Sequence, residues 1–511
     1  MPSPIPSHIG ILGGGTAGYF AALALRKRFP DLRITLIESS KIPIIGVGEA
    51  TTPPLVAFLH DFLAIDIHEL YREVLPTWKI GIRFDWGSRG GFNYPFSTGE
   101  LTEAHVYDGT IDCASLGSML MDTKRVPIFR SEAGIVSGLK GVRFAYHLDN
   151  VRFVRFLKKL ARWRRIDHLD AVIQSVGTRP RAGGGLEIDH LITEDGQRLS
   201  FDFYIDCTGF RSLLLEQTLG SPFHSYASSL YCDRAAVTNV PHDGTIKPYT
   251  RAETMNSGWC WNIPMVHEDH RGYVYSSAFC SQDEAVAELR AKNPGMSEPW
   301  FVKFRSGRHQ DFWVGNVAAM GNAYAFVEPL ESTALHMIII QVTLLLRLLC
   351  AERAGSSDHD PVEVNRRVGA HWDYLRWFLA LHYRFNGRLD TPFWQHCREH
   401  VDFSGLAETV TDYQRSGPFS GRSYQRPPDA IFGGGGLDVL LLGQDVPTAG
   451  GQPRLDRAAW SALRSQRQER LSAALSHREA LALLRDRPEL LDDMLQGEDS
   501  WCVELGRAIA D

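Results

Sequence analysis

The eight cysteines are scattered singly, and no two stand in a CxxC pair. That argues against a metal site and a disulfide framework, and predicts reduced thiols in a cytoplasmic protein. Long apolar runs are also missing, since none approaches the ~18 residues a membrane span needs. The best candidate, 335–350, is broken by His336, Gln341 and Arg347 and reads as a buried helix. A basic excess is lacking too: the net charge is −6, which leaves no footprint for nucleic acid or an acidic membrane. Residues 1–4 carry neither the basic nor the apolar part of a secretory signal. There is no internal repeat, and only one dinucleotide fingerprint. Gly183-Gly184-Gly185 and the run Gly433 to Gly436 do not join a strand to a helix.

What is present is the balance of a globular enzyme, with 44% hydrophobic and 22% charged residues over 511 positions. Such a chain buries a large core without staples. His8 to Leu12 reads as a strand, Tyr19 to Arg28 as a helix and Leu32 to Ile37 as a second strand ending at Glu38. Gly13, Gly15 and Gly18 stand between the first strand and the helix, with Thr16 and Ala17 inside the same turn. In such a βαβ unit Gly13 permits the tight turn, Gly15 lets a pyrophosphate approach, and Gly18 packs helix on strand. The helix N-terminus offers N–H groups to phosphates, and Glu38 is placed for a ribose hydroxyl.

Further along, 147–163 reads as a helix, 178–185 as a surface turn and 186–203 as a hairpin around Glu194-Asp195-Gly196. Phe203 to Gly209 reads as a strand running into a turn. A long helix is expected from near Ser332, and 427–436 reads as a Pro/Gly break. The stretch 456–510 reads as mostly helical, with Arg464 to Arg470 a solvated mixed-charge face.

Three places carry possible chemistry. Trp259 and Trp261 are two apart, so in a strand both indoles share one face; they form a core strand or the wall of a cavity. Ile263-Pro264 closes the stretch, and Pro264 stiffens it. Lys79 lies in Trp78-Lys79-Ile80-Gly81-Ile82; buried, its amine loses charge and can react, whereas at a strand edge it snorkels to water. Glu331 opens a helix, where a carboxylate caps or does acid–base chemistry, and the N–H groups of Thr333 and Ala334 suit a halide.

Trp259-Cys260-Trp261-Asn262-Ile263-Pro264 fits W-x-W-x-I-P, the signature of flavin-dependent halogenases. Over roughly residues 8–400 the chain resembles their tryptophan-halogenase branch. Gly46 to Pro53 resembles the strap across the isoalloxazine, Thr77 to Gly81 the segment of the catalytic lysine, and Glu328 to Thr333 that of the catalytic glutamate and halide site. Asn93-Tyr94-Pro95-Phe96 falls where the family often carries His-Pro-Phe against the substrate.

The resemblance implies an α/β fold of the two-domain flavin monooxygenase type. Residues 1–400 would form the FAD-binding module, with a substrate-side sheet at about 80–130 and 210–310. Residues 401–511 would form a mainly helical substrate-covering region. It implies FAD contacts at Gly48, Glu49, Ala50, Asp206, Gly321 and Phe326, catalysis by Lys79 and Glu331, and halide at Thr333 and Ala334. Tyr94, Pro95 and Phe96 would line the substrate, and the motif wall, Trp259, Trp261, Ile263 and Pro264, would keep it from the flavin. The implied activity uses FADH2 from a separate, diffusing reductase, O2, and chloride or bromide. Hypohalous acid made at the flavin would pass electrophilic halogen by way of Lys79 to a small electron-rich aromatic, most readily an indole; a homodimer is left open. The other readings are a single-component FAD aromatic hydroxylase and a non-catalytic FAD-binding relative.

Two departures bear on substrate. Tyr94 replaces the family's His, and residues 395–459 contain no Trp, where relatives acting on free tryptophan carry an aromatic and acidic lid. Gly433 to Gly436 has no side chains to clamp an amino acid. A simpler indole, a phenol, or an indole within a larger molecule is therefore expected beside free tryptophan.

Overall fold

The first strand, His8–Leu12, is buried along four of its five residues because parallel strands flank it on both sides. The computed structural model describes residues 6–42, 48–132, 134–181, 184–242, 244–354 and 360–492. Gly46 and Val47 of the strap, Gly183, and 493–511 lie outside them.

Strands 167–170, 33–38, 8–12, 203–206, 317–319 and 313–314 form one sheet in that order, parallel except for the last pair. The helix Thr16–Arg28 packs against it and against the long helix Ala334–Ala354. A seven-stranded sheet, in the order 300–303, 234–241, 268–275, 258–264, 250–255, 81–85 and 92–95, forms a second layer. It is antiparallel except where 250–255 meets 81–85. The motif strand Gly258–Pro264 is central and buried at every residue.

A separate small antiparallel sheet is formed by 48–50, 145–149 and 77–79. It places the strap and the Lys79 segment on either side of one strand. This corrects the reading of 147–163 as helix. The side chain of Asp149 accepts from the Arg152 N–H at 2.9 Å, caps the helix at Asn150, and leaves His147 in the strand. Likewise Thr178–Pro180 belongs to a strand paired with 186–193, and the turn begins only after Pro180.

Between about 80 and 130 the expected sheet holds only its first two strands. Leu101–Asp108 and Leu116–Asp122 are helices, and Arg125–Ser131 pairs instead with Gly134–Ser137 and Ala474–Ser476. Beyond 400 the described chain is mostly helical, with helices 407–416, 434–443, 457–472 and 477–486. Their apolar faces join the same core as the nucleotide-side helices. The glycine run is not a loose break: Gly434–Gly443 is a helix with its leucines fully or nearly fully buried. Nor is the face at 464–470 merely solvated, because Arg464 pairs with Asp108 at 2.7 Å and Arg467 with Glu100.

Candidate active site

The nucleotide cradle is built by three glycines. Gly13 has φ +119°, and a Cβ there would overlap the carbonyl of Cys207. A Cβ at Gly18 would overlap the carbonyl of Gly13, so helix and turn touch backbone to backbone. A Cβ at Gly15 would meet nothing within 4 Å, and no side chain caps the helix that begins at Thr16. An open approach to uncapped N–H groups of Thr16, Ala17 and Gly18 fits a pyrophosphate. Gly321, φ +59°, sits against Ala17, where its Cβ would come within 3.1 Å.

The flanking acids differ in their freedom. Glu38 receives the Tyr19 hydroxyl at 2.9 Å and the Lys158 ammonium, and lies 2.8 Å from His168 Nε2. Burial pushes its carboxyl up, but bonds from Lys158, Tyr19 and His168 outweigh this and hold it below the usual range. Asp206 is fully buried; Oδ1 accepts the N–H and hydroxyl of Thr208, and Oδ2 the N–H groups of Leu214 and Leu215 at 2.7 and 3.0 Å. Its part is therefore to shape the loop beside Gly13. Phe326 stands against Phe210 and Phe304, with centroids 5.0 Å from each. In the strap, burial raises Glu49 to about 7, and Gly48 and Ala50 pair with Asp149 and His147.

The strap leads directly to the lysine. Lys79 is 0% exposed, and its Nζ donates to the Thr51 carbonyl at 2.9 Å. Thr51 is itself fixed, its hydroxyl donating to the Tyr146 carbonyl at 2.7 Å. Burial lowers Lys79 to about 7, partly offset by the charge of Glu331. The snorkelling alternative is therefore excluded. The Phe96 ring lies 5.3 Å from Nζ, and Pro95 packs over Gly81. Tyr94 is 8% exposed, and its hydroxyl is pushed well above its ordinary value by burial, then by Glu331 and Tyr374.

Behind Lys79, His147 holds the strand in place. The Thr77 hydroxyl donates to the Pro264 carbonyl at 2.8 Å, so His147 Nδ1 donates to Thr77 and Nε2 accepts from Thr250. Burial, then the Lys79 charge, keeps this imidazole neutral. The Trp78 N–H donates to His477 Nε2 at 3.0 Å, and the two rings stack at 5.0 Å. The tryptophan motif thus grips the lysine strand through Pro264, and the distant C-terminal segment grips it through His477.

Trp259 and Trp261 do share a face, with ring centroids 6.1 Å apart; Ile263, two residues on, is also buried. The Trp259 indole donates to Glu328 Oε2 at 2.9 Å, and the Tyr383 hydroxyl donates to the same oxygen at 2.6 Å. Burial raises Glu328 to about 7 despite these bonds. Glu331 lies 3% exposed with Oε1 2.7 Å from His382 Nε2. Ser332, φ +58°, then turns the chain into the helix at Ala334. Its buried hydroxyl finds no partner in the protein. The first intrahelical bond runs from the Met337 N–H to the Thr333 carbonyl, so the N–H groups of Thr333 and Ala334 have no acceptor within the helix. Sequence alone offered no signal for His147, His382, Tyr383 or His477, because each meets its partner only across a long separation, 70, 51, 55 and 399 residues respectively.

A dinucleotide cradle and a secluded lysine in the field of a carboxylate fit a nucleotide-dependent enzyme. Residues 8–459 match the family model of tryptophan halogenases. The chain is 32% identical to tryptophan 6-halogenase ThaL of Streptomyces albogriseolus over 449 residues, 80% of this chain and 82% of that one. The solved structure of MibH, a lathipeptide tryptophan 5-halogenase, superposes with TM-score 0.90 at 45% identity and 98% coverage of both chains. BrvH, a flavin-dependent halogenase from Brevundimonas sp. BAL3, superposes with TM-score 0.82 at 30% identity, covering 94% and 99%. The chain belongs to the tryptophan halogenase family and is a flavin-dependent halogenase, using FAD and a halide.

Proposed function

We propose that this enzyme halogenates the indole of a tryptophan side chain held in a peptide, using FADH2 delivered by a separate reductase. The observation that carries it is the Lys79 amine, sealed from solvent, bonded to the strap and within the field of Glu331. Two features favour a peptide over the free amino acid. The relative at 45% identity acts on a lathipeptide tryptophan, and the segment facing Tyr94 is a glycine run without side chains to grip an amino acid.

The bound flavin supplies the oxidising equivalents, from FADH2 and O2, that turn chloride or bromide into hypohalous acid. Gly13 to Gly18 would hold its pyrophosphate, Gly48 to Ala50 would lie beside it, and the N–H groups of Thr333 and Ala334 would hold the halide. Lys79, about half neutral near pH 7, receives the oxidised halogen as a hydrogen-bonded acid or a haloamine. Glu331 takes the ring proton. Tyr94 and Phe96 stack on the indole, and Trp259 and Trp261 bar it from the flavin. Residues 401–492 cover the substrate side, with Gly434 to Gly436 next to Tyr94.

Mass spectrometry of tryptophan peptides, free L-tryptophan, indole and phenols, with reductase, FAD and either halide, tests this reading. A peptide should gain one halogen at least tenfold faster than free tryptophan, and Lys79→Ala should stop it while hypohalous acid still forms. Faster turnover of free tryptophan would refute the peptide substrate, and full activity of Lys79→Ala would refute the route through the lysine.

A further inference from the structure

The clamp on Glu331 carries more than a packing role. His382 lies in the last turns of the helix Pro361–Phe385, and both of its ring nitrogens are engaged. Nδ1 stands 3.1 Å from the Phe378 carbonyl, and Nε2 stands 2.7 Å from Glu331 Oε1. A carbonyl oxygen only accepts, so Nδ1 bears a proton. A Glu331 that is to take a proton from the substrate must start as a carboxylate, which only accepts, so on that reading Nε2 bears a proton as well and the ring is an imidazolium. With the Nδ1 proton alone, Glu331 would have to be the acid donating to Nε2, and could not serve as the base.

Burial by itself disfavours a charged ring; the nearby groups that favour one are aromatic and dipolar. The rings of Phe84, Trp86 and Phe378 enclose the imidazole at 5.1, 6.0 and 5.5 Å, and aromatic faces attract a cation where water is excluded. The C-terminal end of a 25-residue helix adds its negative pole. Among the described residues, Lys79 and Tyr94 lie within the field of Glu331, with Glu328 and Tyr383 in the adjoining network. Residues 382 and 383 thus hold two carboxylates of one turn, Tyr383 clamping Glu328 while His382 clamps Glu331.

We propose that His382 is a positioning residue whose imidazolium keeps Glu331 ionised and turns its free oxygen, Oε2, toward the substrate ring. This rests on the catalytic reading of Glu331. When the ring has gained halogen, the proton on the substituted carbon passes to Oε2 and the C–H electron pair returns to the ring. Glu331 becomes a carboxylic acid still bonded to the imidazolium and loses its proton to solvent as product leaves.

The test uses the FAD-loaded enzyme with reductase, halide and a tryptophan peptide. His382→Phe keeps the ring but loses donor and charge. It should lower kcat about 10²-fold, with KM and hypohalous acid formation unchanged, and should expose a primary isotope effect with substrate deuterated at the reacting carbon. His382→Gln keeps a neutral donor and should fall between the two. Nitrogen NMR of labelled histidine tests the charge without relying on variants of His382. Both ring nitrogens should be protonated in the wild type, and Nε2 should lose its proton in Glu331→Gln. Wild-type kcat and no isotope effect in His382→Phe, or a neutral ring in the wild type, would overturn the proposal. If Glu331→Gln itself retains full turnover, the reading of Glu331 fails first.

Discussion

Lys79→Met should make the protein more stable while it removes halogenation. The ammonium of Lys79 is wholly enclosed, and burial brings it from the ordinary 10.5 to about 7. At about 1.36 kcal/mol per pH unit, that gap is worth up to about 5 kcal/mol against folding at low pH. Methionine fills nearly the same volume without a charge. It leaves the Thr51 carbonyl without its 2.9 Å donor, which costs about 1–3 kcal/mol. The net gain near pH 7 is therefore about 2 kcal/mol. The pH dependence is more diagnostic. Between about 7 and 10.5 the unfolded chain holds a proton that the folded protein lacks, so wild-type stability rises with pH through that window. Below 7 the penalty is complete, and above 10.5 it is gone. Denaturant unfolding of wild type and Lys79→Met from pH 6.5 to 10 should show their difference shrinking by up to about 1.36 kcal/mol per unit. A difference that stays constant across that range would show that the amine is not kept uncharged by burial, and the chemistry assigned to it would lose its basis.

Two other positions give predictions of definite sign. A Cβ at Gly436 would overlap the Tyr94 hydroxyl but only touch its ring carbon at 3.5 Å. Gly436→Ala should therefore destabilise the wild type by about 1–3 kcal/mol, yet stabilise Tyr94→Phe by about 0.5–1 kcal/mol through helix propensity. A double-mutant cycle by thermal unfolding reads the change of sign, and equal effects in both backgrounds would refute the contact. His477 is held by burial at about 3, so its neutral ring contributes stability that is full above about 6.5 and lost as pH falls toward 3. His477→Ala should cost about 2–3 kcal/mol at pH 7, from the Trp78 N–H and the stacked ring, and the deficit should narrow in acid. A deficit independent of pH would mean that the ring is charged or solvated.

The nucleotide half was legible because its signals are local. A strand, a glycine turn and a helix within about thirty residues fix one another's geometry, and each glycine has a backbone reason to be there. The tryptophan pair was legible for the same reason, since a period of two places both indoles on one face whatever the strand packs against. Lys79 and Glu331 were marked by type and by resemblance, not by any visible partner. The sequence alone left the lysine either buried or snorkelling and the glutamate either a cap or a base.

Tertiary structure made those choices, because burial and electrostatic coupling are properties of neighbours. Lys79 loses much of its charge near neutral pH because distant residues bury it; Thr51, 28 positions away, accepts its hydrogen bond, while Glu331, 252 positions away, partly offsets the loss. Glu331 is clamped by His382, Trp259 by Glu328, and the lysine strand by His477, across separations of 51, 69 and 399 residues. No periodicity or spacing rule reaches so far. The glycine run shows the same divide: composition marked it as a break, whereas packing made it the first turn of a buried helix, with room only for a hydrogen beside Tyr94. The sequence by itself determined which chemical groups the protein owns and how its nucleotide turn folds. Only the folded chain decided which of those groups lose their water, and a charge changes its chemistry when its water is gone.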